Sequence, residues 1–189
     1  VEEGYRRVLA VGGDPGQVGG VDNFCWPSIQ YDPVTNPDGR YKAAQLVRAC
    51  WGLKDACLAL GIPLLSGKDS MYVDGMIPGR HGLARRISGP PTMMFTATAP
   101  VPDLERAQTL EPKLAGDLVY MLGETRNELG ASALYNMLGY VGRNLPRTDF
   151  GHSLKLGQAV SAGLDQGLLA SVCVLSRGGL AYALARMTM

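Results

Sequence analysis

Between Tyr41 and Leu60 the apolar residues Leu46, Cys50, Leu53, Cys57 and Leu60 recur at spacings of four and three. That period puts them on one face of a helix that must pack on a sheet. Gly61 stands where a left-handed C-terminal cap belongs, and Ile62 to Leu65 follow as a short apolar run of the buried-strand type. Upstream, Asp22-Asn23 ends another expected strand after Gly19-Gly20. Strand, helix and strand in succession place the chain in the α/β (α+β) class, with helices packed on sheets.

With 189 residues, 46% of them apolar and 19% charged, the chain is long enough for one large domain or two small ones around a packed core. Its formal net charge is +1 and its basic residues are scattered, which argues against nucleic acid or an anionic membrane surface as a partner. Cys25, Cys50, Cys57 and Cys173 form no CxxC pair and have no histidines at ligand spacing, so reduced thiols in a cytoplasmic protein are expected, with Cys50 and Cys57 in the core. No apolar run of membrane-spanning length and no signal peptide is evident. The chain opens at Val1 to Val11 on a helical pattern already in progress and stops at Met187-Thr-Met189 inside another, which is expected of a piece truncated at both ends.

Tyr31 to Arg40 and Ile77 to Pro91, both rich in turn residues, are expected to be loops, with strands at about Met71 to Val73 and Thr92 to Thr98. The composition changes at Ala99-Pro-Val-Pro102, so residues 1–100 and 113–189 are expected as two domains joined by a 101–112 linker. The second domain is expected to hold buried strands at Gly116 to Gly123 and Leu168 to Val174. Its helices are expected at about Ala131 to Leu138, Ser153 to Gly167 and Gly179 to Met187.

The densest chemistry lies in Ile62-Pro-Leu-Leu-Ser-Gly-Lys-Asp-Ser-Met71. It predicts a turn at a strand's carboxyl end: Gly67 permits close ligand approach, Lys68 offers a point charge, and Asp69 and Ser70 suit Mg²⁺, a ribose or a phosphate oxygen. A P-loop is excluded, because five residues separate Gly61 from Gly67 where four are required, and Asp69 follows the lysine where Ser or Thr should. The competing interpretation is a solvated β-turn.

Val21-Asp-Asn-Phe-Cys-Trp-Pro27, the Gly67-Lys-Asp-Ser-Met71 run and Ser176-Arg-Gly-Gly-Leu180, in this order, closely resemble the phosphoribosylformylglycinamidine synthase family, in particular its second half. The resemblance covers nearly the whole chain. It implies a PurM-like two-domain unit, here partial, with a mixed sheet and packed helices in each domain, and a glutamine-dependent, ATP-consuming ligase of purine synthesis acting on formylglycinamide ribonucleotide. It further implies an upstream synthase half holding the catalytic histidine and the main magnesium carboxylates, a glutaminase unit, and a homo- or hetero-oligomer. No catalytic residue is assigned to this chain, and neither His81 nor His152 is assigned a role. The isolated chain is expected to be inactive. The alternatives are a non-catalytic, structural or regulatory nucleotide-binding half, favoured by the altered metal positions below, and another PurM-like ATP-dependent enzyme.

By the same resemblance Asp22 and Gly67 contact ATP or ADP, Ser70 contacts the phosphoribosyl substrate, and Lys68 agrees with one branch of the family and replaces a metal-binding asparagine of another. Without that match an Asp-Asn pair before a loop is a cap or turn former. Asp69 is then the local metal candidate. Glu3 matches a magnesium-binding glutamate, but Arg7 stands where an asparagine usually assists it. Ser176 lies in a nucleotide-binding turn in which Val174 replaces a metal-binding aspartate. Replacing an amide by a guanidinium and a carboxylate by an isopropyl group removes hard oxygen ligands, so Mg²⁺ binding is expected to be weak or partly lost.

Overall fold

The computed structural model describes residues 1–79, 82 and 84–189. They form two compact units, one of Val1 with Gly19–Ala97, the other of Glu2–Val18 with Thr98–Met189. The fold is mixed α/β.

In the first unit β1 (Gly19–Trp26) leads through α2 (Gly39–Leu60) to β2 (Leu64–Met71), which pairs parallel to β1, and β5 (Thr92–Thr98) completes a sheet of order β2-β1-β5. A long crossover is what a parallel pair requires, and α2 supplies it. Gly61 ends α2 at φ 67°, with Ile62 N donating to Cys57 O at 2.9 Å. Phe24 and Trp26 on β1 meet Leu53 and Cys57 on α2, and Leu46, Ala49, Met71, Met93 and Phe95 close around them. Burying a side chain such as Phe24 or Leu53 is worth about 1.5–3 kcal/mol. A second sheet pairs β3 (Asp74–Pro78) antiparallel to β4 (Ala84–Ser88).

The β1–α2 connection is held by buried polar groups. Lys42 Nζ donates to Asn36 Oδ1 at 2.8 Å and pairs with Asp38 at 2.9 Å, while its carbonyl accepts the Trp26 indole N–H at 2.9 Å. Asn36 Nδ2 donates to the carbonyls of Ser28 and Gln30. A buried ammonium is tolerated here because its donors meet acceptors.

In the second unit α1 (Glu2–Ala10) packs on α4 (Phe150–Asp165). Tyr5 and Leu9, each 1% exposed, fill the surface over Gly157, where a Cβ would stand 2.7 Å from Leu9 Cδ1 and 2.9 Å from the Tyr5 ring. Asp149 caps α4 by accepting from His152 N, and Ser132 caps the short α3 (Ala133–Met137) by accepting from Tyr135 N. α5 (Gly179–Met187) ends the unit. Among the described residues no helix is long and apolar enough to cross a membrane.

Several expected elements differ. Gly67 is not in a turn: β2 runs through Gly67, Lys68, Asp69 and Ser70, because β1 offers a parallel ladder along its length and extended pairing overrides local turn chemistry. Ile77 to Pro91 is not all loop, since β3 and β4 occupy much of it, with Pro78 at a strand end where its missing N–H is tolerated. Gly116 to Gly123 and Leu168 to Val174 form no strand. Among the described residues the second unit contains no strand to pair with them, and Leu118 and Tyr120 remain 76% and 75% exposed. Cys50 is exposed, because the buried stripe of α2 runs through Lys42, Leu53, Ala56, Cys57 and Leu60 instead.

Candidate functional site

The parallel register sets Asp22 opposite Gly67, Asn23 opposite Lys68, Phe24 opposite Asp69 and Cys25 opposite Ser70. Side chains alternate between the faces of a sheet. Asp22, Gly67 and Asp69 therefore share the α2 face with Phe24 and Trp26, while Lys68 and Ser70 share the other face with Asn23 and Cys25. Asp22 Oδ1 lies 2.6 Å from where a Gly67 Cβ would be. Burial pushes the Cys57 thiol up from its ordinary value, and the Asp22 carboxylate adds to that shift.

On the open face Lys68 Nζ donates to Ser70 Oγ at 2.8 Å. Among the described residues no carboxylate forms an ion pair with Lys68. Directly across the ladder, Asn23 Oδ1 is buried without a hydrogen-bond partner among the described residues, an acceptor waiting for a donor. Because β2 is a sheet edge, its outer backbone groups lie beside this cation and hydroxyl. Lys68 and Ser70 suit an oxyanion, with Lys68 as point charge and Ser70 as orienting hydroxyl, whereas Asn23 Oδ1 suits a donor. Asp69, exposed on the opposite face, is separated from it. The sequence thus places Asp22 with Gly67 and Lys68 with Ser70, but the two pairs do not face one cleft.

In the second unit Arg7 bridges Glu3 and Ser176. Arg7 donates through Nε to Glu3 Oε1 at 2.8 Å and through Nη2 to Ser176 Oγ at 3.2 Å. Beside it Arg6 grips Glu2 with two hydrogen bonds and donates to Leu175 O, while Ser153 Oγ donates to Glu2 Oε1. The Glu3 carboxylate is thus neutralised by a guanidinium and Val174 offers no oxygen from its side chain, so these residues do not fit a magnesium ion. Among the described residues no three His, Cys, Asp or Glu side chains converge as a metal set. Ser176 precedes α5, whose cap residue Gly178 has φ 94° and gives no side-chain bond to the first turn.

His152 lies exposed in the first turn of α4, and His81 falls outside the described residues. A groove of about 570 Å³ bordered by Asp103, Arg106, Lys113 and Gln166 contains none of the expected site residues. Sequence reasoning passed over Lys42 and Asn36, and over Asp74, whose partners Ser28 and Arg86 lie on other elements. It named Asn23 beside Asp22, and the position of Asn23 opposite Lys68 is visible only in the register.

No family model matches the chain. Over 198 aligned residues, all of this chain and 25% of the relative, it is 31% identical to the phosphoribosylformylglycinamidine synthase subunit PurL of Erythrobacter litoralis (strain HTCC2594). Over 184 residues, 96% of this chain and 21% of the relative, it is 33% identical to the subunit of the same name from Leifsonia xyli subsp. xyli (strain CTCB07). The chain resembles phosphoribosylformylglycinamidine synthase. It spans about a quarter of the length of these synthase subunits, and the likeness takes in both structural units.

Proposed function

We propose that this chain is part of a phosphoribosylformylglycinamidine synthase, contributing a nucleotide- and substrate-binding wall to the ATP- and glutamine-dependent conversion of formylglycinamide ribonucleotide to formylglycinamidine ribonucleotide. The observation that carries it is likeness to two synthase subunits along the whole chain, combined with a cation and hydroxyl paired on an open strand edge. With this assignment comes the family's PurM-like two-domain plan, with the 101–112 segment as its linker.

In the proposed reaction ATP phosphorylates the amide oxygen and ammonia from a glutaminase unit displaces the phosphate. Such chemistry is mostly positioning and charge stabilisation. Lys68 would hold a phosphate oxygen as a point charge and Ser70 would orient the phosphoribosyl group. Asp22 would make a separate nucleotide contact from the opposite face of the strand pair, where its carboxylate lies over Gly67. Ser176, tied to Arg7, would line an auxiliary nucleotide site with little use for Mg²⁺. The general base and the principal metal ligands would come from the rest of the synthase.

The second reading, a structural or regulatory nucleotide-binding module, is favoured by the Glu3–Arg7 pair, which occupies the carboxylate that a metal would need. Turnover separates the two. The purified chain given formylglycinamide ribonucleotide, ATP and ammonia is expected to give no product above a heat-killed control. Adding the remainder of the synthase and a glutaminase should give product that falls in Lys68→Ala. Product from the chain alone would overturn the part-enzyme assignment, and reconstituted turnover indifferent to Lys68→Ala would favour the module.

A further inference from the structure

Immediately after the strand that carries Lys68 and Ser70, Tyr72 adopts φ 59°. A bulky residue in this left-handed region is strained, and such strain persists only where surrounding bonds over-determine it. Those bonds are present: Val73 N donates to Trp26 O at 2.9 Å, Asp74 N to Tyr72 O at 2.7 Å, and Gly89 N to Val73 O at 2.7 Å. The chain then enters β3 and β4, which among the described residues pair only with each other and whose residues other than Asp74 are exposed. A lone two-stranded hairpin is at best marginally stable in water.

What fixes this one is Asp74. Its side chain, 12% exposed, accepts from Ser28 N at 2.7 Å through Oδ2 and from Ser88 Oγ at 2.5 Å through Oδ1, and pairs with Arg86 at 3.3 Å. Arg86 also donates to Thr35 O at 3.2 Å. Both contacts reach the β1–α2 connection, which Lys42 and Asn36 hold from its other side. We propose that β3 and β4 form a hinged strap, with Tyr72 as strained hinge and Asp74 with Arg86 as the latch onto residues 28–35. Hinge and latch oppose each other: release of the carboxylate lets Tyr72 relax, so the strap is poised between two positions just beyond the end of the strand that carries Lys68 and Ser70. The device does not depend on what that edge binds.

Amide hydrogen exchange on the 189-residue chain, corrected for intrinsic rates, tests this. In Asp74→Asn, exchange at 74–78, 84–88 and 28–36 is expected to rise together by about tenfold or more while α2 amides keep their rates. Arg86→Gln, at a more exposed position, should act in the same direction with smaller size. Adding Tyr72→Gly to Asp74→Asn removes the left-handed penalty from the closed form and should slow strap exchange again by roughly tenfold. Faster exchange confined to the hairpin, with 28–36 unchanged, would overturn the latch. No slowing by Tyr72→Gly would overturn the strained hinge, and α2 amides exchanging together with the hairpin in both single variants would overturn a separately moving strap.

Discussion

Asp22 lies over Gly67 across the parallel pair of β1 and β2, its Oδ1 2.6 Å from the position a Cβ on Gly67 would take. Glycine here is a matter of room and not of backbone conformation, since the residue sits within an extended strand. The two positions are therefore coupled: what one may carry depends on the other.

Gly67→Val is expected to destabilise the chain by about 1–3 kcal/mol through overpacking against the Asp22 carboxylate. Truncating the neighbour should relieve it. A double-mutant cycle with Asp22→Ala, read by urea unfolding, is expected to show a favourable coupling of about 0.5–3 kcal/mol, whereas additive effects would mean that the side chains do not meet.

Gly157 is the corresponding close approach in the second unit. Gly157→Val should force Leu9 and Tyr5 away from α4 and cost about 1–3 kcal/mol, seen as a lower unfolding midpoint. An unchanged midpoint would contradict the packing of α1 on α4.

The thiols should separate by reactivity. Cys50 is exposed, whereas Cys57 is buried with its thiol pushed up by desolvation. Iodoacetamide labelling followed by mass spectrometry is expected to modify Cys50 well before Cys57, and equal rates would contradict the placement of the buried stripe on α2.

For Asp74, burial raises the carboxyl, but hydrogen bonds from Ser88 and Ser28 and the charge of Arg86 outweigh it and leave it below its ordinary value. A carboxyl lowered on folding contributes stability that is full above its unfolded value, about 3.9, and is lost as pH falls through the lower folded value. Urea midpoints should therefore fall on acidification below about pH 4, and part of that fall should vanish in Asp74→Asn. An identical acid profile in the variant would remove Asp74 from the acid response.

Local periodicity made much of the fold legible. The α2 helix with its Gly61 cap, β5 and α5 follow from patterns within about twenty residues, where sequence carries its own frame. The turn expected at Gly67 failed because Ser-Gly-Lys-Asp-Ser is turn chemistry locally, while the extended form comes from β1, some forty residues earlier in the chain. Gly116 to Gly123 has the composition of a buried strand, but a strand needs a ladder, and composition does not say whether a partner is there. At the candidate site, Glu3 and Arg7 stand four apart and could be paired from spacing alone. Ser176 joins them from the far end of the chain, and Asp74 reaches Ser28 across 46 positions, contacts that only folding reveals.

The central claim, that the Lys68–Ser70 edge receives the phosphate of a nucleotide with little help from metal, is tested most directly by calorimetric titration of the chain with ADP, with and without Mg²⁺. Lys68→Ala should weaken binding by about 10- to 150-fold, the worth of a charge-assisted contact of about 1.5–3 kcal/mol, while Mg²⁺ changes the wild-type affinity little. Equal affinity of wild type and Lys68→Ala would remove the edge from the site, and a gain of about 100-fold on adding Mg²⁺, about 2.7 kcal/mol, would contradict the lost metal ligands.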